Sequence, residues 1–155
     1  MQKFLFFIAL FMIAFTSCND DEVITPIKTK TRTELLLHNG AAWKVTAAIV
    51  DPPLPVKGTL ITDFFAQLQD CDKDDTYLYS ANPITATSGS YILSNPVKCK
   101  PTEQSTSTGT WSFNGDDLVT DGGKETILSL DETALKTKQV IPLNGVNYSV
   151  TVTYK

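Results

Sequence analysis

The sequence predicts an all-β domain: an eight-stranded antiparallel up-and-down barrel with a short N-terminal helix. Three observations predict it. Strand-length segments alternate apolar and polar residues with period two. Turn signals separate these segments closely, leaving few long crossovers of the kind a two-sheet sandwich needs. Thr, Val, Ser and aromatic residues recur throughout, and the β-branched and aromatic ones fit a pleated surface. Short turns between consecutive strands make a meander. Eight meandering strands can remove their exposed edges by curling shut. The interior then holds side chains or one small ligand.

The chain has 155 residues, enough for one domain and short extensions. Residues 19–32 are polar, charged and aperiodic, and read as a tether. TRTELLLHNG follows. Thr33 can cap a short helix, Glu34 suits its first turn and Gly40 fits just past its end. AAWKVTAAIV reads as the first strand, with Trp43, Val45, Ala47 and Ile49 on one face. DPPLPVKG carries three prolines and cannot be a central strand. In TDFFAQLQD, Phe64, Phe65 and Leu68 suit one face of a short helix or a distorted extended segment.

From Asp75 onward strands and turns alternate: DTYLYSA, SGSYILSN, a polar loop from Asn95 to Thr106, then STGTWSFNG. Asn114-Gly115-Asp116 is a hairpin signal leading into DLVTD. Gly122-Gly123, Asp131-Glu132 and Pro142–Gly145 separate ETILSLD, ALKTKQVI and VNYSVTVTY. In the last segment Val146, Tyr148, Val150, Val152 and Tyr154 alternate strictly with polar residues.

Residues 1–17 form a secretory signal peptide: Lys3, about a dozen apolar residues, then small residues before Cys18. The apolar run is shorter than the roughly 20 residues of a membrane span. Phe15-Thr16-Ser17-Cys18 resembles the lipobox of bacterial lipoproteins, in the loose form used by Bacteroidetes-type bacteria. That resemblance implies cleavage before Cys18, acylation of Cys18 and anchorage in the outer membrane. Asn19-Asp20-Asp21-Glu22 resembles the surface-export signal of the same bacteria, which implies surface exposure, with a periplasm-facing placement as the alternative.

Formal net charge is −4, and loss of residues 1–17 leaves 12 basic and 17 acidic residues, or −5. No basic block occurs, so no nucleic-acid partner is expected. Once Cys18 carries lipid, Cys71 and Cys99 remain. An even pair outside the cytoplasm reads as a disulfide.

Trp43-Lys44-Val45, the Cys71-Asp72-Lys73-Asp74-Asp75 segment, Cys99, Gly109-Thr110-Trp111-Ser112-Phe113 and Asp117-Leu118 together resemble the lipocalin-like domain common in Bacteroidetes lipoproteins. The resemblance covers residues 33–155 and implies a lipocalin-like β-barrel. Gly40 lies three residues before Trp43, so the G-x-W spacing of true lipocalins is absent.

No residue set reads as catalytic, no cofactor is implied, and the chain is not expected to be an enzyme. Asp70, Asp72 and Asp74 have the spacing of a calcium loop, but its sixth and twelfth positions hold Asp75 and Ala81. The segment reads as a solvated acidic turn, and no metal is expected. His38 is the only histidine and reads as a helix-end residue. The aromatics supply the ligand-cavity candidates: Trp43, Tyr77, Tyr91, Trp111, Phe113 and Tyr148. Two functions follow. One is a lipoprotein whose barrel binds a small apolar or amphipathic ligand. The other is a structural or protein-interaction lipoprotein with a filled barrel, acting through its loops on an unidentified protein partner.

Overall fold

The structure, a computed structural model, describes residues 29–155. The signal peptide, Cys18 and most of the tether lie outside the described residues. Nine strands follow a short helix α1 (Arg32–Leu36): β1 (Trp43–Val56), β2 (Thr59–Asp63), β3 (Thr76–Ala81), β4 (Ser88–Ser94), β5 (Thr106–Asn114), β6 (Asp117–Thr120), β7 (Gly123–Leu130), β8 (Leu135–Leu143) and β9 (Val146–Tyr154). A second helical turn, α2 (Asp70–Lys73), precedes β3. From β3 to β9 each strand pairs with the next, and β1 pairs with both β3 and β9. These eight antiparallel strands close a barrel. β2 pairs with the far half of β1 and extends the sheet there.

Two-residue connections set much of this register. Lys57-Gly58 and Asn144-Gly145 each place both residues at positive φ between paired strand ends. That is the type I′ geometry, whose twist matches the flanking strands. At the β7–β8 turn the Asp131 carboxylate accepts from the Thr133 and Ala134 N–H groups, at 2.7 and 2.9 Å.

Helix α1 plugs one end of the barrel. Its N-cap is Thr31, not the expected Thr33: the Thr31 hydroxyl accepts from the Glu34 N–H, and the Glu34 carboxylate accepts from the Thr31 N–H. Thr33 instead donates its hydroxyl to the Ala86 carbonyl at 2.6 Å, tying the helix to the β3–β4 loop. Arg32 lies over the Phe113 ring at 4.4 Å and donates to the Gly115 carbonyl. Leu36 is fully buried, and its carbonyl accepts the Trp43 indole N–H at 2.7 Å. His38 covers the other face of this plug, its ring stacked on Trp43 at 4.0 Å.

Two expectations for the first strand change. Val45 pairs with Tyr154 but Ala47 pairs with Thr153, so β1 carries one extra residue at Thr46. A one-residue insertion flips every later side chain to the opposite face. Ala48 and Val50 therefore point inward, while Ile49, expected inside, is 46% exposed. The strand also does not stop at the prolines. Pairing with β9 ends at Asp51 and pairing with β2 resumes at Leu54, so Pro52 and Pro53 fall in a stretch with no cross-strand partner. There the missing N–H interrupts no ladder bond. TDFFAQLQD, read as a short helix or a distorted extended segment, is the end of β2 followed by a 3-10 turn, Phe65–Gln67, whose Ala66 N–H is capped by Asp63 at 2.9 Å.

Cys71 of α2 is disulfide-bonded to Cys99 in the 95–105 loop, with Cα atoms 5.3 Å apart. Glu103 folds the same loop by accepting from the Cys99 and Lys100 N–H groups. Among the described residues no helix is long and apolar enough to cross a membrane.

The bridge closes a loop of 28 residues' separation. Loop-entropy reasoning values such a closure at about 3–4 kcal/mol. The Cys71→Ser/Cys99→Ser variant should melt at clearly lower temperature, and reductant should no longer affect it. An unchanged melt would show that the bridge does not stabilise the native state.

Candidate functional site

The strands differ in length, and the difference creates the site. β6 has four residues, whereas β8 and β9 have nine each and β1 has 14. In the lower half, near α1, the strands pair all round and aromatic side chains fill the interior. In the upper half β8, β9, β1 and β2 run on beyond their neighbours and form a curved wall.

Inward residues on this wall sit in layers set by the register. Val45 pairs with Tyr154, which also pairs with Leu135. Above them Ala48 pairs with Val152, and Val50 with Val150, which faces Gln139 from the other side. Tyr148 then pairs with Ile141, and Leu143 tops the stack. Opposite, the chain after β2 returns through Phe64, whose N–H bonds the Ala48 carbonyl at 2.8 Å. Phe64 and Leu68 form the facing side, Leu54 continues the β1 wall, and Tyr77 and Tyr154 form the floor. The result is a cavity of about 430 Å³, apolar except for the tyrosines and Gln139. It is open at the top, where Phe64, Ile141 and Leu143 remain 40–45% exposed.

The floor is an aromatic cluster. Tyr77 meets Tyr154 edge-on at 6.0 Å and tilts against Tyr91 at 6.2 Å. Tyr79 contacts Tyr91 at 5.8 Å and the edge of Trp111 at 6.2 Å. Gly109 is required beneath Tyr91, because a Cβ there would lie 2.5 Å from the ring. Burial raises the phenol pKa of Tyr77, Tyr79 and Tyr154 above the ordinary value, and the negative charge of Glu125 adds to the shift in all three.

The six cavity candidates divide accordingly. Tyr77 and Tyr148 line the cavity. Trp43 and Trp111 do not: they are among the most deeply buried side chains of the lower core, and Trp111 donates its indole N–H to the Ser80 carbonyl at 3.0 Å. Phe113 packs against that core under Arg32, and Tyr91 packs beneath the floor. The aliphatic lining from β9 carried its own signal in the strict alternation of Val146, Tyr148, Val150, Val152 and Tyr154, whereas β8 mixes Thr137 and Gln139 into its inward face and Val140 into its outward one. The DCDKDD segment forms α2, where Asp70 pairs with Lys73 at 3.5 Å. Burial, then the charges of Asp74, Asp72 and Glu103, raise the carboxyl pKa of Asp75.

The tyrosines supply a measurable test of the packed floor. A phenol pKa raised by folding stabilises the native state fully below the unfolded value near 10, and that contribution is lost as pH rises past it. Spectrophotometric titration should therefore show most of the five tyrosines ionising only well above pH 10, together with alkaline unfolding. Smooth ionisation of all of them near pH 10 in the folded protein would contradict a buried floor.

Comparison with known proteins places this architecture. A family model for the lipocalin-like domain matches residues 39–138, which run from the turn after α1 into β8. No curated protein and no solved structure matches the chain. The family match spans well over half of the sequence and coincides with a closed eight-stranded antiparallel barrel. This chain belongs to the lipocalin-like domain family.

Proposed function

We propose that this protein is a cell-envelope lipoprotein, anchored through an acylated Cys18, whose barrel binds a small apolar or amphipathic molecule. The single observation that carries the binding reading is the open apolar cavity in the upper half of the barrel. Its volume of about 430 Å³ lies within the range of small-molecule sites. Its rim leaves Phe64, Ile141 and Leu143 in contact with water. Covering such surface is favourable by about 25 cal/mol per Å². A filled barrel acting only through its loops would have no use for this arrangement.

The geometry of the base supports the anchored reading. The described chain enters at α1, on the closed end, and the cavity opens at the other. The tether read from the sequence ends by Lys30, because Thr31 and Arg32 already belong to the capped start of α1. The anchor would hold the closed end toward the membrane and leave the mouth free. Several acyl chains on one residue, each methylene worth ~0.8 kcal/mol when buried, make such an anchor effectively permanent. The acidic residues after Cys18 support display at the cell surface.

Native mass spectrometry of the purified Cys18→Ser chain should detect a bound small molecule, or titration with an apolar fluorescent probe should saturate at one site. Val50→Trp, which fills the cavity, should weaken probe binding at least tenfold while preserving the β-sheet circular dichroism spectrum. Unimpaired binding by a folded Val50→Trp protein would move the site elsewhere. In cells fed labelled fatty acid, the wild-type chain should incorporate label and Cys18→Ser should not. Label retained by Cys18→Ser would refute the anchor.

A further inference from the structure

We propose that the cavity selects amphiphiles carrying a positively charged head, and that Glu125 provides the counter-charge. This rests on the reading that the cavity binds a small molecule. Glu125 stands in β7 directly opposite Leu118 of β6, a core side chain that is 2% exposed. Two residues on, Ile127 pairs with the buried Thr137. Glu125 therefore belongs to the inward face of β7. The register that sets Thr126 opposite Lys138 brings Glu125 alongside Gln139, which lines the cavity. Its charge acts on Tyr77 and Tyr154, the two floor residues, and on Tyr79 beneath them.

Among the described residues no lysine or arginine pairs with this carboxylate. Its neighbour Lys124 is bonded to Asp117 at 2.9 Å. Lys73, on the α2 side, lies by the Phe65 ring and is paired with Asp70. The cavity lining contains no charged side chain, and Asp75 adds a second negative charge near Tyr77. Glu125 itself is only part-buried and lies beside the lining residue Gln139, where its charge would attract a ligand cation. The tyrosine rings add π faces that attract an ammonium group. A ligand carboxylate at the same depth would be repelled by Glu125 and Asp75.

The test compares dodecylammonium, dodecanoate and dodecanol, each below its aggregation limit, binding to the purified Cys18→Ser chain at neutral pH by calorimetry. Dodecylammonium should bind at least tenfold more tightly than dodecanoate. Glu125→Gln should abolish that preference while leaving dodecanol affinity within twofold, which also shows that the variant is folded. If dodecanol binds but the two ionic ligands bind equally, or if the preference survives in Glu125→Gln, the charge assignment is wrong and the cavity reading stands. If none of the three binds, the cavity reading fails and this inference fails with it.

Discussion

Strand β1 must hydrogen-bond to three neighbours along its length, and the closure of the barrel depends on its doing so. Its first residues pair with β3, its middle with β9 and its far half with β2. A regular strand would present one set of side chains inward throughout. The extra residue at Thr46 breaks that regularity, so Trp43 and Val45 face inward below it and Ala48 and Val50 above. Bulges also increase local twist and bend a strand, which lets β1 follow the curve of the barrel and then leave it. Without the bulge, Ala47 and Ile49 would take the inward places of Ala48 and Val50, opposite Val152 and Val150.

The two halves of the interior follow from this. In the lower half the bulky residues Trp43, Tyr79 and Trp111 meet under the α1 plug, and the indole N–H groups find carbonyl partners at Leu36 and Ser80. Buried aromatics with satisfied polar tips are a stable filling. In the upper half the middle layers of the wall carry the smaller residues Ala48, Val50, Val150 and Val152. An unfilled space lined by such residues loses dispersion contacts unless something occupies it. The disulfide at Cys71–Cys99 and the capped 95–105 loop hold the chain around α2, next to Leu68, on the facing side of that space.

The electrostatics point the same way as the shape. Among the described residues the cavity has a phenolic floor, a lining without charged side chains and, beside Gln139, an inward carboxylate that no lysine or arginine pairs. Fold alone does not choose among ligands; the placement of Glu125 relative to Tyr77 and Tyr154 does.

The eight strands of the barrel, their antiparallel order, the N-terminal helix and the Cys71–Cys99 pairing were legible in the sequence, whereas β2, which only extends the sheet beside β1, was not. Period-two alternation and turn residues such as Asn144-Gly145 act over a few residues, and Cys71 and Cys99 are the two cysteines of the domain-forming segment. The parity of β1 was not legible, because Thr46 is an ordinary strand residue and only the ladder to β9 makes it the extra one. Nor was the division of the aromatics into core and lining. Trp43 and Tyr148 look alike in an alternating pattern, and what separates them is how far each stands from the plugged end of a closed barrel. That distance is a property of the assembled sheet: strands of unequal length leave one end packed and the other open, and no single segment records where its neighbours stop.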